Sequence, residues 1–121
     1  MKNFIITLLS ICASIAHAGM HKISVATNLY GLEETTIEFH TSNEFIQTIV
    51  ESENGEKFYN LQIEIIETEK EGEIKLITSF SSRVTEEKQW IGFTELEAIL
   101  TRGNGATIYK KNSEHFTISL K

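Results

Sequence analysis

Histidine and glutamate are the residues whose side chains could carry chemistry in this sequence. His21, His40 and His115 have no zinc-motif spacing, and no serine lies in a G-x-S-x-G nucleophile pattern. All 17 acidic residues are glutamates and Cys12 is the single cysteine, which excludes an aspartate-centred triad, an EF-hand loop and a disulfide framework. The sequence therefore predicts no catalytic, cofactor-binding or metal-binding residue, and a protein that is not an enzyme.

Two alternative interpretations give the histidines a function. A hydrolase site could be assembled from distant residues, with His40 or His115 beside a glutamate. If the chain is cleaved after Ala18, the new terminus reads Gly19, Met20, His21. Its amine, two amides and an imidazole could bind Cu(II) or Ni(II) in a square plane, and a periplasmic small-ligand or metal-binding protein is the alternative function.

The first eighteen residues have the pattern of an export signal. A positively charged start, Met1 to Asn3, precedes the apolar stretch from Phe4 to Ile15 and the small-x-small site at Ala16 to Ala18. The apolar stretch is shorter than the roughly 20 residues that a membrane-spanning helix needs. We predict a signal peptide over residues 1–18, a single β domain over 19–121, a periplasmic or secreted location, and no integral membrane segment after cleavage.

The elements that would position these residues read as strands. Apolar and polar residues alternate with period two, which places one face of each strand in a core and the other in water. The alternating segments are Lys22–Leu29, Thr36–Thr41, Tyr59–Ile65, Glu73–Phe80 and Phe116–Leu120. Asn54-Gly55, Glu71-Gly72 and Asn104-Gly105 supply turn residues between strands. The pattern predicts an all-β fold, either a small antiparallel β-sandwich or a half-open barrel of about seven strands.

Two segments, 42–52 and 94–102, also fit short helices. Thr41 to Glu44 has capping-box spacing, and Thr94 to Glu97 repeats it, with Gly103 as a possible C-cap. We favour strands for both, because their neighbours are strands and each run is short. Trp90 and Phe93 are expected to close one end of the core.

The order of these segments resembles part of the C-terminal β-domain of secretins, the outer-membrane channel proteins. The resemblance spans Ile23 to Ser82 and rests on Ile23-Ser24-Val25-Ala26, on Gly31 with Thr35-Thr36-Ile37, on Leu61 to Ile65, on Glu71-Gly72-Glu73-Ile74-Lys75-Leu76 and on Phe80-Ser81-Ser82. The family's final glycine-rich strand has no counterpart here. The resemblance implies a related sheet layout and an exported accessory or assembly role.

The functional expectation follows from charge and export. A net charge of −6 argues against nucleic acid as a partner. We expect an exported, non-enzymatic module that binds a still unidentified envelope protein or assists envelope assembly. An exposed strand edge that accepts a partner strand is the means that we expect.

Overall fold

The computed structural model describes residues 20–87 and 89–121, and these form eight strands and one short 3-10 helix. In chain order the elements are β1 (His21–Thr27), the 3-10 helix (Leu29–Gly31), β2 (Thr35–Thr41), β3 (Phe45–Glu51), β4 (Lys57–Glu67), β5 (Glu73–Val84), β6 (Ile91–Thr101), β7 (Gly105–Lys111) and β8 (Glu114–Leu120). The predicted signal peptide, residues 1–18, and Gly19 lie outside the described residues.

The strands form two antiparallel sheets of four strands each. One sheet has the order β2-β1-β8-β7 and the other has the order β3-β4-β5-β6. The predicted all-β antiparallel class is confirmed. The structure has eight strands where about seven were expected, in two separate sheets rather than one sheet rolled into a barrel.

The sheet β3-β4-β5-β6 is held by alternating apolar side chains of its two central strands. The buried residues of β4 and β5 follow period two, as the sequence predicted for most of them, and are Tyr59, Leu61, Ile63, Ile65, Ile74, Leu76, Thr78 and Phe80. The rings of Tyr59 and Phe80 stack with centroids 5.8 Å apart and an interplanar angle of 12°. Such aromatic pairs add about 1 kcal/mol beyond the burial of their area.

The sheet β2-β1-β8-β7 joins the first described strand to the last. β1 pairs with β2 on one side and with β8 on the other. Its buried apolar residues are Ile23, Val25, Phe116, Ile118 and Leu120, together with Leu29 and Leu32 from the 3-10 segment. The predicted alternation in Phe116–Leu120 is therefore confirmed.

The possible helix over 42–52 is wrong, and the favoured strand is confirmed as β3. The hydroxyl of Thr41 accepts a hydrogen bond from the Asn43 amide at 2.9 Å, so the capping residue stabilises the turn between β2 and β3. Glu44 then enters the ladder, because its carbonyl accepts from the Ile65 amide at 2.7 Å. A helix-start signal and a strand-turn signal are the same short local motif here.

The possible helix over 94–102 is also wrong, because this segment lies in β6. Glu95 has a φ of 55°, which no right-handed helix accommodates. Its amide donates to the Ser79 hydroxyl at 3.0 Å instead of to a helical carbonyl. Gly103, expected as a C-cap, has a φ of 91° in the turn between β6 and β7.

The described residues form two compact units. One comprises residues 44–99, and the other comprises residues 20–43 together with 100–121. Each contains one of the two sheets, and β6 crosses the boundary after Ile99. The single domain over 19–121 stays a prediction.

Candidate functional site

The hydrogen bonds at the two ends of β3 reveal which of its backbone groups face its neighbour. The Ile65 amide donates to the Glu44 carbonyl at 2.7 Å, and the Ser52 amide donates to the Lys57 carbonyl at 2.9 Å. Both pairs belong to the register that runs along β3 and β4 without a shift. Since hydrogen-bonded pairs alternate in an antiparallel ladder, the even-numbered residues of this strand bond to β4.

The odd-numbered residues of β3 therefore direct their N–H and C=O groups towards the open side of the sheet. β3 is the last strand in its sheet, so no described strand pairs with these groups. The same residues expose their side chains: Phe45 is 52% and Ile49 is 51% accessible. We call this feature the β3 edge; it consists of Phe45, Gln47, Ile49 and Glu51.

The β3 edge differs from the other sheet edges of the described chain. Proteins usually protect such edges with charges or bulges. β2 carries Glu38, β6 contains the irregular Glu95, and β7 has a register shift just after Thr107 and ends in two lysines. The stretch Phe45–Val50 has neither a charge nor a bulge. It is the least protected edge among the described strands.

The outer face beside the β3 edge is polar at its centre and apolar at its margin. Gln47 donates from its side-chain amide to the Asn60 side-chain oxygen at 3.0 Å. A shallow depression on this face is lined by Phe45, Gln62, Glu64, Ile77, Ser79, Thr94 and Glu95. It is open to solvent, and it offers Phe45 as an apolar contact next to amide and carboxylate groups.

His115 is the histidine that the structure brings beside other polar side chains. Its Nε2 lies 2.7 Å from an oxygen of Glu34, and its Nδ1 lies 3.3 Å from the hydroxyl of Thr117. That hydroxyl lies 3.2 Å from the hydroxyl of Thr107. The order carboxylate, imidazole, hydroxyl is the order used by hydrolases, so the pairing of His115 with a glutamate raised above is present.

The surroundings of Thr117 favour a structural role for this cluster. Thr117 lies in a central strand, paired with Ala26 on β1 and with Thr107 on β7. Its backbone N–H is therefore committed to the sheet and cannot stabilise an oxyanion. The backbone of His115 also anchors the segment after β1, because its amide donates to the Asn28 side chain at 2.8 Å and its carbonyl accepts from the Thr27 hydroxyl at 2.8 Å.

The remaining histidines lie apart. His40 is exposed on β2, as the sequence predicted, and His21 is the first residue of β1, where it pairs with Thr41. No group of three or more His, Cys or Glu side chains within the described ranges is placed to hold a metal ion. Copper or nickel binding by a Gly19, Met20, His21 terminus stays a prediction, since Gly19 lies outside those ranges.

Arg83 forms a second notable surface cluster with two aromatic rings. Its guanidinium carbon lies 5.5 Å from the ring centroid of Phe58 and 5.3 Å from that of Trp90. The Trp90 side chain is 39% accessible, so the expectation that it closes the core is wrong. The ring of Phe93 does lie near the core residue Phe80, with the two ring centroids 6.4 Å apart. The guanidinium lies over the Trp90 ring and stabilises its position at the surface by a cation–π interaction.

Comparison with known proteins returns no relative: no family model, curated protein or solved structure matches the chain. Within residues 20–87 and 89–121, no helix has the length and apolar character to cross a membrane.

Two features of these sites were not found by sequence reasoning. The uncharged run from Phe45 to Val50 is visible in the sequence, but its place at a sheet edge depends on long-range pairing. The contact between Glu34 and His115 joins residues 81 positions apart, and no local spacing indicates it.

Proposed function

We propose that this chain is an exported, non-enzymatic module that binds a cell-envelope protein by accepting a strand at the β3 edge. The observation that carries the proposal is the regular ladder edge of β3, which no described strand pairs and which carries no charge from Phe45 to Val50. In strand addition, main-chain hydrogen bonds supply affinity and alternate side chains supply specificity. The β3 edge offers both, because its outward backbone groups and its exposed side chains belong to the same residues.

Export supports the cellular part of the proposal. The pattern of residues 1–18 predicts a signal peptide, and a periplasmic or secreted module would meet envelope proteins as its partners. The resemblance to the β-domain of secretins points to an accessory or assembly role in the same compartment, and it rests on the residues named above alone.

A proline at position 47 tests the edge without breaking the fold. The Gln47 N–H points away from β4, so Gln47→Pro removes an outward donor and leaves the β3–β4 hydrogen bonds in place. The preceding residue, Ile46, is already extended, as a residue before proline must be. Gln47→Ala is the matched control, because it keeps the N–H and loses only the side-chain bond to Asn60.

The assay is cross-linking in cells followed by mass spectrometry, with thermal unfolding of each purified variant. We expect one envelope protein to be cross-linked to the wild type and to Gln47→Ala, and to be lost from Gln47→Pro. The proposal fails if Gln47→Pro melts like the wild type and still captures the same protein with the same yield.

A further inference from the structure

We infer that the segment accepted by the β3 edge is an extended run of alternating apolar residues with Lys or Arg at both of its ends. This inference rests on the proposed function and specifies the chemistry of the partner. The apolar part follows from the exposed side chains of Phe45 and Ile49, which an added strand would cover on one face of the sheet.

The charged ends follow from the carboxylates that surround β3. Glu44 immediately precedes the strand and Glu51 is its last residue, so they flank its two ends, with their side chains on opposite faces of the sheet. Glu64 lies opposite Phe45 on β4, so it borders the same face. All three side chains are exposed, and none forms an ion pair with a described residue. β3 itself contains no lysine or arginine to neutralise them.

The spacing of these carboxylates fixes the length of the partner segment. Glu44 and Glu51 lie seven positions apart in an extended strand, which corresponds to about 24 Å. A partner strand of about seven residues would therefore place its two ends beside the two glutamates. Cationic ends would find opposite charges there, and acidic ends would meet like charges.

The same charges disfavour a second copy of this chain as the occupant. Two β3 edges paired antiparallel about Thr48 would bring Phe45 of each copy opposite Glu51 of the other. Each Glu51 would then lie at the same end of the paired strands as Glu44 of the other copy, although their side chains lie on opposite faces of the sheet. The two ends with like charges would occur twice, in an assembly of two chains that are each net acidic.

Synthetic peptides test the inference. The probes share a core of alternating valine and threonine, and carry two lysines, two glutamines or two glutamates at each end. Binding is measured by fluorescence anisotropy of the labelled peptide. We expect the lysine-ended peptide to bind about tenfold more tightly than the glutamine-ended one, as up to three exposed ion pairs would provide, and this advantage to shrink in salt. The glutamate-ended peptide should bind least.

Two variants separate the contributions of charge and edge. Replacing Glu44, Glu51 and Glu64 together by glutamine should abolish the preference for lysine ends while the core still binds. Gln47→Pro should abolish binding of every peptide, and Gln47→Ala should not.

The possible outcomes separate the inference about charged ends from the proposed function, strand addition at the β3 edge. Equal binding of all peptides, lost in Gln47→Pro, overturns the charged-end inference and leaves strand addition standing. Binding that Gln47→Pro does not change overturns strand addition itself. If no peptide binds, the inference is overturned. It is also overturned if analytical ultracentrifugation shows a dimer that Gln47→Pro dissociates, because the strand at the β3 edge would then come from a second copy of the chain.

Discussion

The replacement of Thr78 by valine should stabilise the protein. Thr78 lies on β5, is fully buried, and its hydroxyl has no hydrogen-bond partner among the described residues. A buried hydroxyl without a partner loses its hydration on folding and gains nothing in return, a cost of about 1 kcal/mol or more. Valine keeps the β-branched shape that suits the strand and removes the polar atom. We expect Thr78→Val to raise the free energy of unfolding by about 1 kcal/mol.

Thr27→Val is the matched control with the opposite expected sign. Thr27 is equally buried, but its hydroxyl donates to the His115 carbonyl at 2.8 Å and accepts from the Leu29 amide at 3.0 Å. Valine would leave the buried Leu29 amide without this acceptor, and the part-buried His115 carbonyl with only the Asn28 amide, 3.3 Å away, as a donor. The free energy of unfolding should fall by about 2 kcal/mol.

Urea unfolding followed by circular dichroism measures both changes. The midpoint should rise for Thr78→Val and fall for Thr27→Val, with the slope of the transition unchanged in each. For a domain of this size, a gain of about 1 kcal/mol corresponds to a melting temperature about 5 °C higher. If Thr78→Val destabilised the protein as much as Thr27→Val, hydrogen bonding would not explain the difference between these sites, and the reasoning would be refuted.

Two further perturbations test other parts of the fold. Gly92→Ala should lower the free energy of unfolding by about 2 kcal/mol. A β-carbon at this position would overlap the Phe80 carbonyl oxygen and lie 2.5 Å from the Ser81 Cα. Unchanged urea unfolding of the variant would contradict this close approach. Burial, and then the charges of Tyr109 and Glu114, raise the pKa of Tyr30 above its usual 10.0. The unfolded chain therefore loses this proton first, so stability is retained below about pH 10 and falls as the pH rises further. Tyr30→Phe should flatten that fall in urea titrations, and an equally steep fall would contradict it.

The strand pattern was predictable because burial on one face leaves a period-two record in the sequence. Leu61, Ile63 and Ile65 alternate with polar residues, and all three are buried on β4. The turns at Asn54-Gly55 and Glu71-Gly72 were also predictable, since Gly55 and Gly72 have positive φ values of 72° and 80°. Here local chemistry and the final fold agree.

The segments that fitted both helix and strand show where such local reasoning ends. Thr41 caps a turn in the structure, and Glu95 breaks its strand with a positive φ. Neither outcome can be read from spacing, because a helix cap and a strand turn use the same residue types. The candidate site was harder still, since which strands lie at edges and which residues of β3 face outward depend on pairing that no local pattern records.

The pairing of β1 with β8 has a consequence for how the molecule assembles during synthesis. Thr27 reaches a partner 88 positions later in the chain, whereas β3, β4 and β5 meet neighbours that follow directly. A nascent or truncated chain that stops before Glu114 can form the sheet of β3 to β6. In such a chain β1 lacks β8, the strand that pairs with one of its two sides. Nonsense mutations between Thr101 and Glu114 should therefore yield half-folded, protease-sensitive products rather than a smaller native protein.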